Sequence, residues 1–323
     1  MMKSNDIKFS IIVPVYNRPV EIQELLNSLL QQTYSDFEVI IVEDGSSVLS
    51  EKVTRNFMAK LNVKYYYKEN SGPGLSRNYG MQRASGNYFI ILDSDVIVPK
   101  NYMQVVKQAL TENYVDAFGG PDAATGDFTP IQKAINFAMT SFFTTGGIRG
   151  KAERLEKFHP RSFNMGISKE VFQKTGGFDA MRYGEDIDLS IRIIQAGFKT
   201  ALFKKAFVYH KRRNNFKSFF YQIKHSGEAR VHLWRKYPKS LKPVHTFPFL
   251  FGVGLVLSLF LALFTGIYYG LLVYVLYFML LWWVAYGSFK SLRTAFWSAV
   301  ASFVMLTAYA WGFAGALFST GKK

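Results

Sequence analysis

The sequence predicts an α/β domain with a parallel, Rossmann-like sheet, followed by a tail of three transmembrane helices. Through the first 120 residues short apolar runs alternate with helical patterns, which is the arrangement of parallel βαβ units. From Thr246 to Phe318 the only charged residues are Lys290 and Arg293, a composition typical of membrane segments. A basic, aromatic stretch joins the two parts. We therefore expect an α/β domain at 1–210, an interfacial segment at 211–244 and a membrane region at 245–323.

The elements of the first part follow in chain order from these runs. Such runs suit strands that are buried on both faces. The predicted strands are FSIIVPVY (9–16), FEVIIVED (37–44), VKYYY (63–67) and YFIILDSD (88–95), with helices at 20–32, 50–60 and 75–84. From about 116 to 210 the periodicity is weaker and glycine-rich stretches recur. This second half is expected to be less regular and to cover the first.

The tail divides into three apolar segments at 246–264, 268–286 and 295–318. Each is long enough to cross a bilayer of ~30 Å as a helix. Basic residues at 211–242 and in the loop near Lys290 place the first domain and that loop in the cytoplasm, by the excess of Lys and Arg on that side of membranes. Lys322 and Lys323 would then lie outside, which counts against this orientation. A soluble helical core is the alternative for the tail.

Composition narrows the classes of partner. The 323 residues carry 39 Lys+Arg against 23 Asp+Glu, a formal net charge of +16, and no cysteine. Disulfides and cysteine nucleophiles are therefore excluded, and an anionic partner is favoured: nucleic acid, acidic lipid or a phosphorylated small molecule. The stretch at 211–242 interleaves Lys and Arg with aromatic residues and leads into the apolar tail, so we assign it to a membrane surface rather than to nucleic acid.

Polar and acidic residues follow three of the predicted strands. They are Asn17 with Arg18, Glu43 with Asp44, and Asp93 with Asp95. In open parallel sheets, ligands bind at the carboxyl ends of the strands. Alternate strand residues point the same way, so Asp93 and Asp95 could face one hard cation that bridges a nucleotide diphosphate. A solvated turn is the other interpretation of this pair.

A second acidic cluster, Glu185, Asp186 and Asp188, lies in MRYGEDIDLSIR at the start of a predicted helix. Carboxylates are stabilised at a helix amino terminus by its dipole. They also serve as general bases. The cluster on its own leaves both roles open.

Six motifs in order resemble those of family-2 glycosyltransferases, the inverting nucleotide-sugar enzymes of the GT-A fold. They are VPVYNR, VEDGS, SGPGLSRNYG, LDSD, GGFD and YGEDIDLSIR, within residues 9 to about 210. The chain looks like a membrane-anchored bacterial member of that family.

The resemblance implies a donor site at the strand ends. Asp44 would accept a hydrogen bond from the uracil N3–H, and Arg77 would contact the pyrophosphate or brace Asp93. Gly72 and Gly74 would let the backbone approach the ligand. A plain turn for Asp44 and a surface arginine for Arg77 are the alternatives. The backbone that frames the base would be that of Pro14, Val15, Tyr16 and Asn17.

The resemblance also implies the catalytic groups. Asp186 would be the base that deprotonates the acceptor hydroxyl, and Glu185 would bind or orient the acceptor. Asp95 would hold Mn²⁺ or Mg²⁺, together with His210 in FVYHKRR. A surface position is the other interpretation of His210. Asp188 is expected only to stabilise the helix start.

We therefore expect a metal-dependent transferase that takes a hexosyl or N-acetylhexosaminyl group from a nucleotide-sugar donor, most simply UDP-linked. The acceptor would be a lipid-linked or membrane-associated glycan, with the catalytic domain on the cytoplasmic face of the inner membrane and no nucleic acid as partner. Processive synthases of the family carry Q-x-x-R-W, and the nearest stretch here is GEARVHLW. That difference favours single-sugar addition. A nucleotidyltransferase would leave the acids at 185–188 without a role.

Overall fold

The computed structural model describes residues 6–123, 128–146, 158–210 and 214–319. The chain forms two compact units. The first comprises residues 1–125 and 155–211, and the second comprises residues 126–154 and 212–323. We describe each unit separately.

The first unit contains ten strands and six helices in its described part. In chain order they are β1 (Phe9–Val15), α1 (Pro19–Leu30), β2 (Phe37–Asp44), α2 (Glu51–Arg55), β3 (Val63–Lys68), α3 (Pro73–Arg83), β4 (Tyr88–Leu92), β5 (Val96–Ile97), α4 (Tyr102–Glu112), β6 (Ala117–Gly119), β7 (Asp122–Ala123), β8 (Asn164–Ser168), α7 (Lys169–Thr175), α8 (Glu185–Gln195), β9 (Thr200–Leu202) and β10 (Val208–His210).

Seven of these strands form one sheet in the order β3-β2-β1-β4-β8-β6-β9. The first four strands are mutually parallel, as the βαβ pattern predicts, and β8 pairs antiparallel with both β4 and β6. The second half of the unit therefore extends the sheet. The sequence had led us to expect that this half covers the first. A separate three-stranded sheet has the order β5-β10-β7.

Both faces of the large sheet are buried. All seven residues of β1 are buried, and successive residues point to opposite faces. Thus Ile11 and Val13 join one apolar cluster with Leu25 of α1, whereas Ile12 joins another with Leu189 of α8. This two-sided burial explains why the strand sequences are continuous apolar runs.

Two predicted elements have different bounds. The helix expected at 50–60 has only five residues, Glu51–Arg55. The strand expected at 88–95 ends at Leu92, so Asp93 and Asp95 lie in the turn that follows it. The argument that alternate strand residues point both carboxylates the same way was therefore wrong.

The second unit is helical. Its described elements are α5 (Pro130–Thr140), α6 (Phe142–Thr145), α9 (Phe216–Lys236), a 3₁₀ turn (Pro238–Ser240), α10 (Pro243–Thr265), α11 (Tyr269–Phe289) and α12 (Leu292–Phe318). The sequence had placed α5 in the first domain. Its apolar face, with Ile135 and Ala138, instead packs with Phe219 of α9 and Met305 of α12.

The last three helices confirm the predicted apolar tail. Each is long and apolar enough to cross a membrane, with mean hydropathies of 2.4 for α10, 1.8 for α11 and 1.6 for α12. The basic segment before them is largely one helix, α9.

Candidate active site

The candidate site lies in the first unit, where parallel strands β1, β2 and β4 end. These strands are neighbours in the sheet, so their carboxyl ends meet at one edge. They bring together Asn17 and Arg18, Asp44, and the turn at Asp93–Asp95. This clustering is what the sequence predicted.

Asp44 organises the turn that precedes α3. Its Oδ1 accepts hydrogen bonds from Lys68 Nζ at 2.7 Å and from the Ser71 amide at 2.9 Å. Its Oδ2 accepts one from the Gly72 amide at 2.9 Å. Gly72 has φ +89°, a conformation that favours glycine. The carboxylate thus fixes the start of α3, and Oδ2 keeps a lone pair for a further donor.

Asn17 fixes the facing loop. It has φ +55°, and its side-chain oxygen accepts hydrogen bonds from the amides of Ser47 and Val48, both at 2.9 Å. Pro14 and Val15 are buried in β1 and can offer a ligand only backbone atoms. Tyr16 is 54% exposed, so its ring is accessible.

Arg77 is the centre of the site. It is buried, and its Nη2 donates to Asp93 Oδ1 and its Nη1 to Glu185 Oε1, both at 2.8 Å. Burial opposes its charge, but the two carboxylates outweigh this and raise the pKa of Arg77 above its usual range. The ring of Phe178 lies 5.1 Å from the guanidinium carbon. One side chain therefore braces the turn after β4 and the first residue of α8.

The pKa values of the two acids at the start of α8 are shifted in opposite directions. Burial raises the pKa of Glu185, and the charge of Asp186 raises it further. Arg77 acts in the opposite direction but only partly offsets them. Burial also acts to raise the pKa of Asp186, but Arg161 and Arg77 reverse this and hold it below its usual range. Environments that separate two carboxyl pKa values in this way are typical of acid and base pairs at active sites.

Arg161 is a site residue that the sequence analysis missed. Its Nε donates to Asp186 Oδ2 at 2.6 Å, and its side chain is 44% exposed. The other oxygen of Asp186, Oδ1, accepts from the amide of Ile187 at 2.8 Å. Arg161 is 25 positions before its partner, and no local pattern in HPRSFN signals the pair.

Asp188 has a structural role larger than the helix-end role expected for it. It is fully buried, and its Oδ2 accepts from Arg192 Nε at 2.8 Å and Nη2 at 2.6 Å. Arg192 in turn donates to the carbonyls of Thr175 and Gly177 at 2.6 and 2.7 Å. Asp188 therefore ties α8 to the turn after α7.

Of the residues expected near the metal, the structure describes the side chains of Asp93 and Asp95. Asp95 is paired with Arg18 and Asp93 with Arg77, so the two acids contact different arginines. The backbone of His210 pairs with Val96, next to Asp95. The side chain of His210 lies outside the described residues, and within the described part no three His, Asp or Glu residues form a group that could hold a metal.

Asp93 and Asp95 nevertheless fit a hard divalent cation. Their side chains are 30% and 15% exposed, and carboxylate oxygens are the ligands that Mg²⁺ and Mn²⁺ prefer. Such ions are often held by one or two carboxylates, with water and substrate phosphates completing the shell. A small set of protein ligands is therefore compatible with a cation shared with a nucleotide.

A family model confirms the resemblance. The model for glycosyl transferase family 2 matches residues 10–176, just over half of the chain. The chain belongs to glycosyl transferase family 2. The match includes the strand ends and Arg77, and it stops before α8.

Curated relatives match over a shorter region. A glycosyltransferase of Rickettsia conorii, itself uncharacterised, is 38% identical over 109 residues, which are 34% of this chain and 18% of that protein. The poly(ribitol-phosphate) β-N-acetylglucosaminyltransferase TarS of Staphylococcus aureus is 35% identical over 114 residues, 34% of this chain and 20% of TarS. The chain therefore matches about a fifth of the length of these relatives.

Solved structures confirm the GT-A fold. A crystal structure of S. aureus TarS in complex with UDP-GlcNAc has a TM-score of 0.50 at 21% identity, covering 69% of this chain and 66% of that one. A mannosyltransferase of Pyrobaculum calidifontis, in complex with GDP-Man and Mn²⁺, has a TM-score of 0.60 at 16% identity, covering 98% and 88%. At these identities the likeness concerns the fold.

Proposed function

We propose that this glycosyltransferase moves a hexosyl or N-acetylhexosaminyl group from a UDP-linked donor to an acceptor hydroxyl, with inversion at the anomeric carbon. The observation that carries the proposal is the double contact of Arg77 with Asp93 and Glu185, each at 2.8 Å. It joins the turn where the donor diphosphate would lie to the helix that carries the candidate base.

The donor nucleotide would occupy the ends of β1 and β2. The loop held by Asn17 and the turn held by Asp44 flank this edge, and Asp44 Oδ2 has a second lone pair besides the one that accepts from the Gly72 amide. That lone pair suits a ring N–H such as the uracil N3–H. The UDP-GlcNAc bound by TarS supports a UDP donor, and the GDP-Man bound by the archaeal mannosyltransferase makes GDP the alternative.

Asp93, Asp95 and His210 would hold the divalent cation at the diphosphate. A bound Mn²⁺ or Mg²⁺ offsets the negative charge that develops on the departing diphosphate. Arg77 holds the Asp93 carboxylate by a hydrogen bond of 2.8 Å. Arg18, which contacts Asp95, is close enough to contribute further positive charge.

Asp186 would act as the general base. Its low pKa keeps it ionised near neutral pH, and Arg161 and the Ile187 amide orient its two oxygens. The acceptor hydroxyl loses its proton to Asp186 as its oxygen bonds the anomeric carbon, and the bond from that carbon to the diphosphate oxygen breaks. Glu185, whose pKa is raised, would hydrogen bond the acceptor and orient it.

The apolar helices and the basic α9 support an acceptor at a membrane. We place the protein in the bacterial inner membrane with its catalytic unit in the cytoplasm, because Lys and Arg accumulate on that side. The acceptor would be a lipid-linked or membrane-associated glycan.

The experiment is nucleotide release by the full chain in detergent, from UDP-GlcNAc, UDP-glucose, UDP-galactose and GDP-mannose, with Mn²⁺, Mg²⁺ or a chelator. We expect one UDP-sugar to be hydrolysed slowly and only with a cation. Asp186→Asn keeps the size of the side chain but removes the proton acceptor, so turnover should fall by roughly 100-fold or more. Binding of UDP should be unchanged.

Asp36→Asn is the control, since Asp36 is exposed and, among the described residues, accepts a single long hydrogen bond, from Tyr34 at 3.3 Å. Asp188 is unsuitable as a control because it is fully buried. Full turnover by Asp186→Asn would mean that the base lies elsewhere. Full turnover in the presence of chelator would refute the proposed requirement for a divalent cation.

A further inference from the structure

Helix α12 is as long and apolar as a membrane span, but its surroundings differ from those of α10 and α11. Half of its most apolar window is buried against the rest of the protein, compared with 11% for each of the other two helices. The question is which helix covers it.

Much of that cover is α9, which follows α12 along nearly its whole length. Near their amino ends the rings of Phe216 and Trp297 are 5.6 Å apart, and near their carboxyl ends Arg235 donates to the Leu317 carbonyl at 3.0 Å. Between these points the backbones touch, because a methyl group added to Gly312 would lie 1.9 Å from the Lys224 carbonyl oxygen. From Trp297 to Leu317 the contact covers about 30 Å at ~1.5 Å per residue.

This companion helix cannot enter the hydrocarbon core. Its charged residues are Lys217, Lys224, Glu228, Arg230, Arg235 and Lys236. Glu228 pairs with Lys224 at 2.7 Å and with His225 at 2.8 Å, but it is one acid among five Lys and Arg residues, so the helix would carry net positive charge into the lipid. Arg and Lys at the centre of a membrane helix are strongly unfavourable. A helix that α9 accompanies for the thickness of a bilayer therefore does not cross that bilayer.

Contacts with α10 and α11 agree with this conclusion. These two form an antiparallel hairpin, in which Tyr274 donates to the Phe251 carbonyl at 2.8 Å. The first half of α12 contacts α11, through Phe303 and Phe278 at 5.7 Å. Its second half contacts α10, through Phe313 and Phe249 at 5.2 Å. Helix α12 thus contacts α11 with its first half and α10 with its second half. It crosses the hairpin rather than running beside both helices along its whole length.

The most exposed side of α12 carries one apolar stripe, in which Phe303 also touches Phe278 of α11. Its residues recur at intervals of seven and eight, so they share one face. They are Phe296, Phe303, Trp311 and Phe318, which are 55%, 42%, 69% and 75% exposed. The hairpin, by contrast, is mostly exposed near its tip, where Leu263 is 78% and Tyr269 81% exposed.

We propose that only the α10–α11 hairpin enters the lipid bilayer, and that α12 lies along the membrane surface with its aromatic stripe against lipid and α9 behind it. Ser319 is then on the same side of the membrane as α9. The arrangement with three spans places it on the opposite side. This inference does not depend on the proposed reaction.

The full chain has no cysteine, so single cysteines can report which side each position faces. Four variants suffice: Gln222→Cys on α9 as the reference, Ser288→Cys between α11 and α12, Ser319→Cys after α12, and Thr265→Cys at the hairpin tip. Each is expressed in bacterial cells and labelled with a membrane-impermeant maleimide in right-side-out and in inverted vesicles.

We expect Gln222→Cys, Ser288→Cys and Ser319→Cys to label in the same type of vesicle, and Thr265→Cys not to label there. Labelling of Ser319→Cys only in the opposite type would establish three spans and overturn the proposal. Labelling of Thr265→Cys together with Gln222→Cys would overturn it as well, because the hairpin would then lie outside the membrane.

Spin labels on the stripe give a second measurement. With α12 in the membrane plane, labels at Phe296, Phe303, Trp311 and Phe318 should have equal immersion depths by oxygen and nickel accessibility. A spanning helix requires the two central labels to be deeper than the outer two by about 10 Å at ~1.5 Å per residue. That depth profile would also refute the proposal.

Discussion

At the scale of single residues, Arg161 controls the charge on the candidate base. Asp186 is buried, and burial alone would favour its neutral form. The guanidinium of Arg161, 2.6 Å away, reverses that preference together with the more distant charge of Arg77. We therefore expect Arg161 to act as a positioning residue that lowers the pKa of Asp186 and so extends to lower pH the range in which Asp186 can accept a proton.

Replacing Arg161 with Met should move the acid limb of kcat/KM to higher pH. Without the cation, burial dominates and the pKa of Asp186 rises, so the base becomes protonated, and transfer is lost, at a higher pH than in the parent chain. The measurement is kcat/KM across the pH range, with the donor that the nucleotide-release assay selects. Arg161→Lys keeps the charge but lacks the planar guanidinium. Its acid limb should lie at a pH between those of the parent chain and of Arg161→Met.

Arg55→Met is the matched control, because Arg55 lies in an exposed ion pair with Glu51. An acid limb that stays in place while the rate falls equally at every pH would show that Arg161 acts through the acceptor or the fold, and not through the charge state of Asp186.

At the scale of elements, the packing of α9 on α12 depends on close backbone approach at glycine. A Cβ at Gly312 would meet the Lys224 carbonyl oxygen at 1.9 Å, whereas a Cβ at Gly315 would meet nothing within 4 Å. These two glycines are three residues apart in one helix. Alanine changes helix propensity similarly at both positions. Comparing the two substitutions therefore isolates the effect of the contact with α9.

The two alanine substitutions should change stability in opposite directions. Gly315→Ala should stabilise by about 0.5–1 kcal/mol, because alanine restricts the unfolded chain and favours the helix. Gly312→Ala should destabilise by roughly 1–3 kcal/mol, because the added methyl group pushes the helices apart. Thermal unfolding in detergent measures both. Stabilisation by both would show that α9 and α12 do not touch at Gly312.

At the scale of the whole molecule, every residue assigned to the donor site lies in the first unit, while α5 and the chain after residue 211 form the second. A chain ending at Lys242 keeps α5 and α9 but loses α12. The apolar faces of both, including Ile135 and Phe219, are then uncovered.

We expect this truncated chain to require detergent but to bind UDP as the full chain does, measured by calorimetry in the same detergent. Transfer to a membrane-borne acceptor should fall, because the helices that hold the enzyme at the membrane are gone. Loss of UDP binding in a folded truncated chain would show that the tail completes the donor site.

The parts of the fold that depend on local pattern were predictable. The apolar runs at 9–16 and 37–44 became β1 and β2, because a strand buried on both faces leaves a continuous apolar sequence. The three apolar helices followed from composition alone. Boundaries were less predictable: β4 ends at Leu92 because its neighbour β8 begins at Asn164, its pairing partner, and no local signal marks that point.

What the sequence by itself determined is the family, the parallel core, the apolar tail and the polar strand ends, because each is carried by residues close together in the chain. Only the tertiary structure decided how the charges pair. Arg77 meets Glu185 across 108 positions and Arg161 meets Asp186 across 25. It also decided that α9 covers α12, which hydropathy cannot detect. Such contacts depend on how distant elements pack, and a buried charge takes its partner from whatever the fold brings within hydrogen-bonding distance.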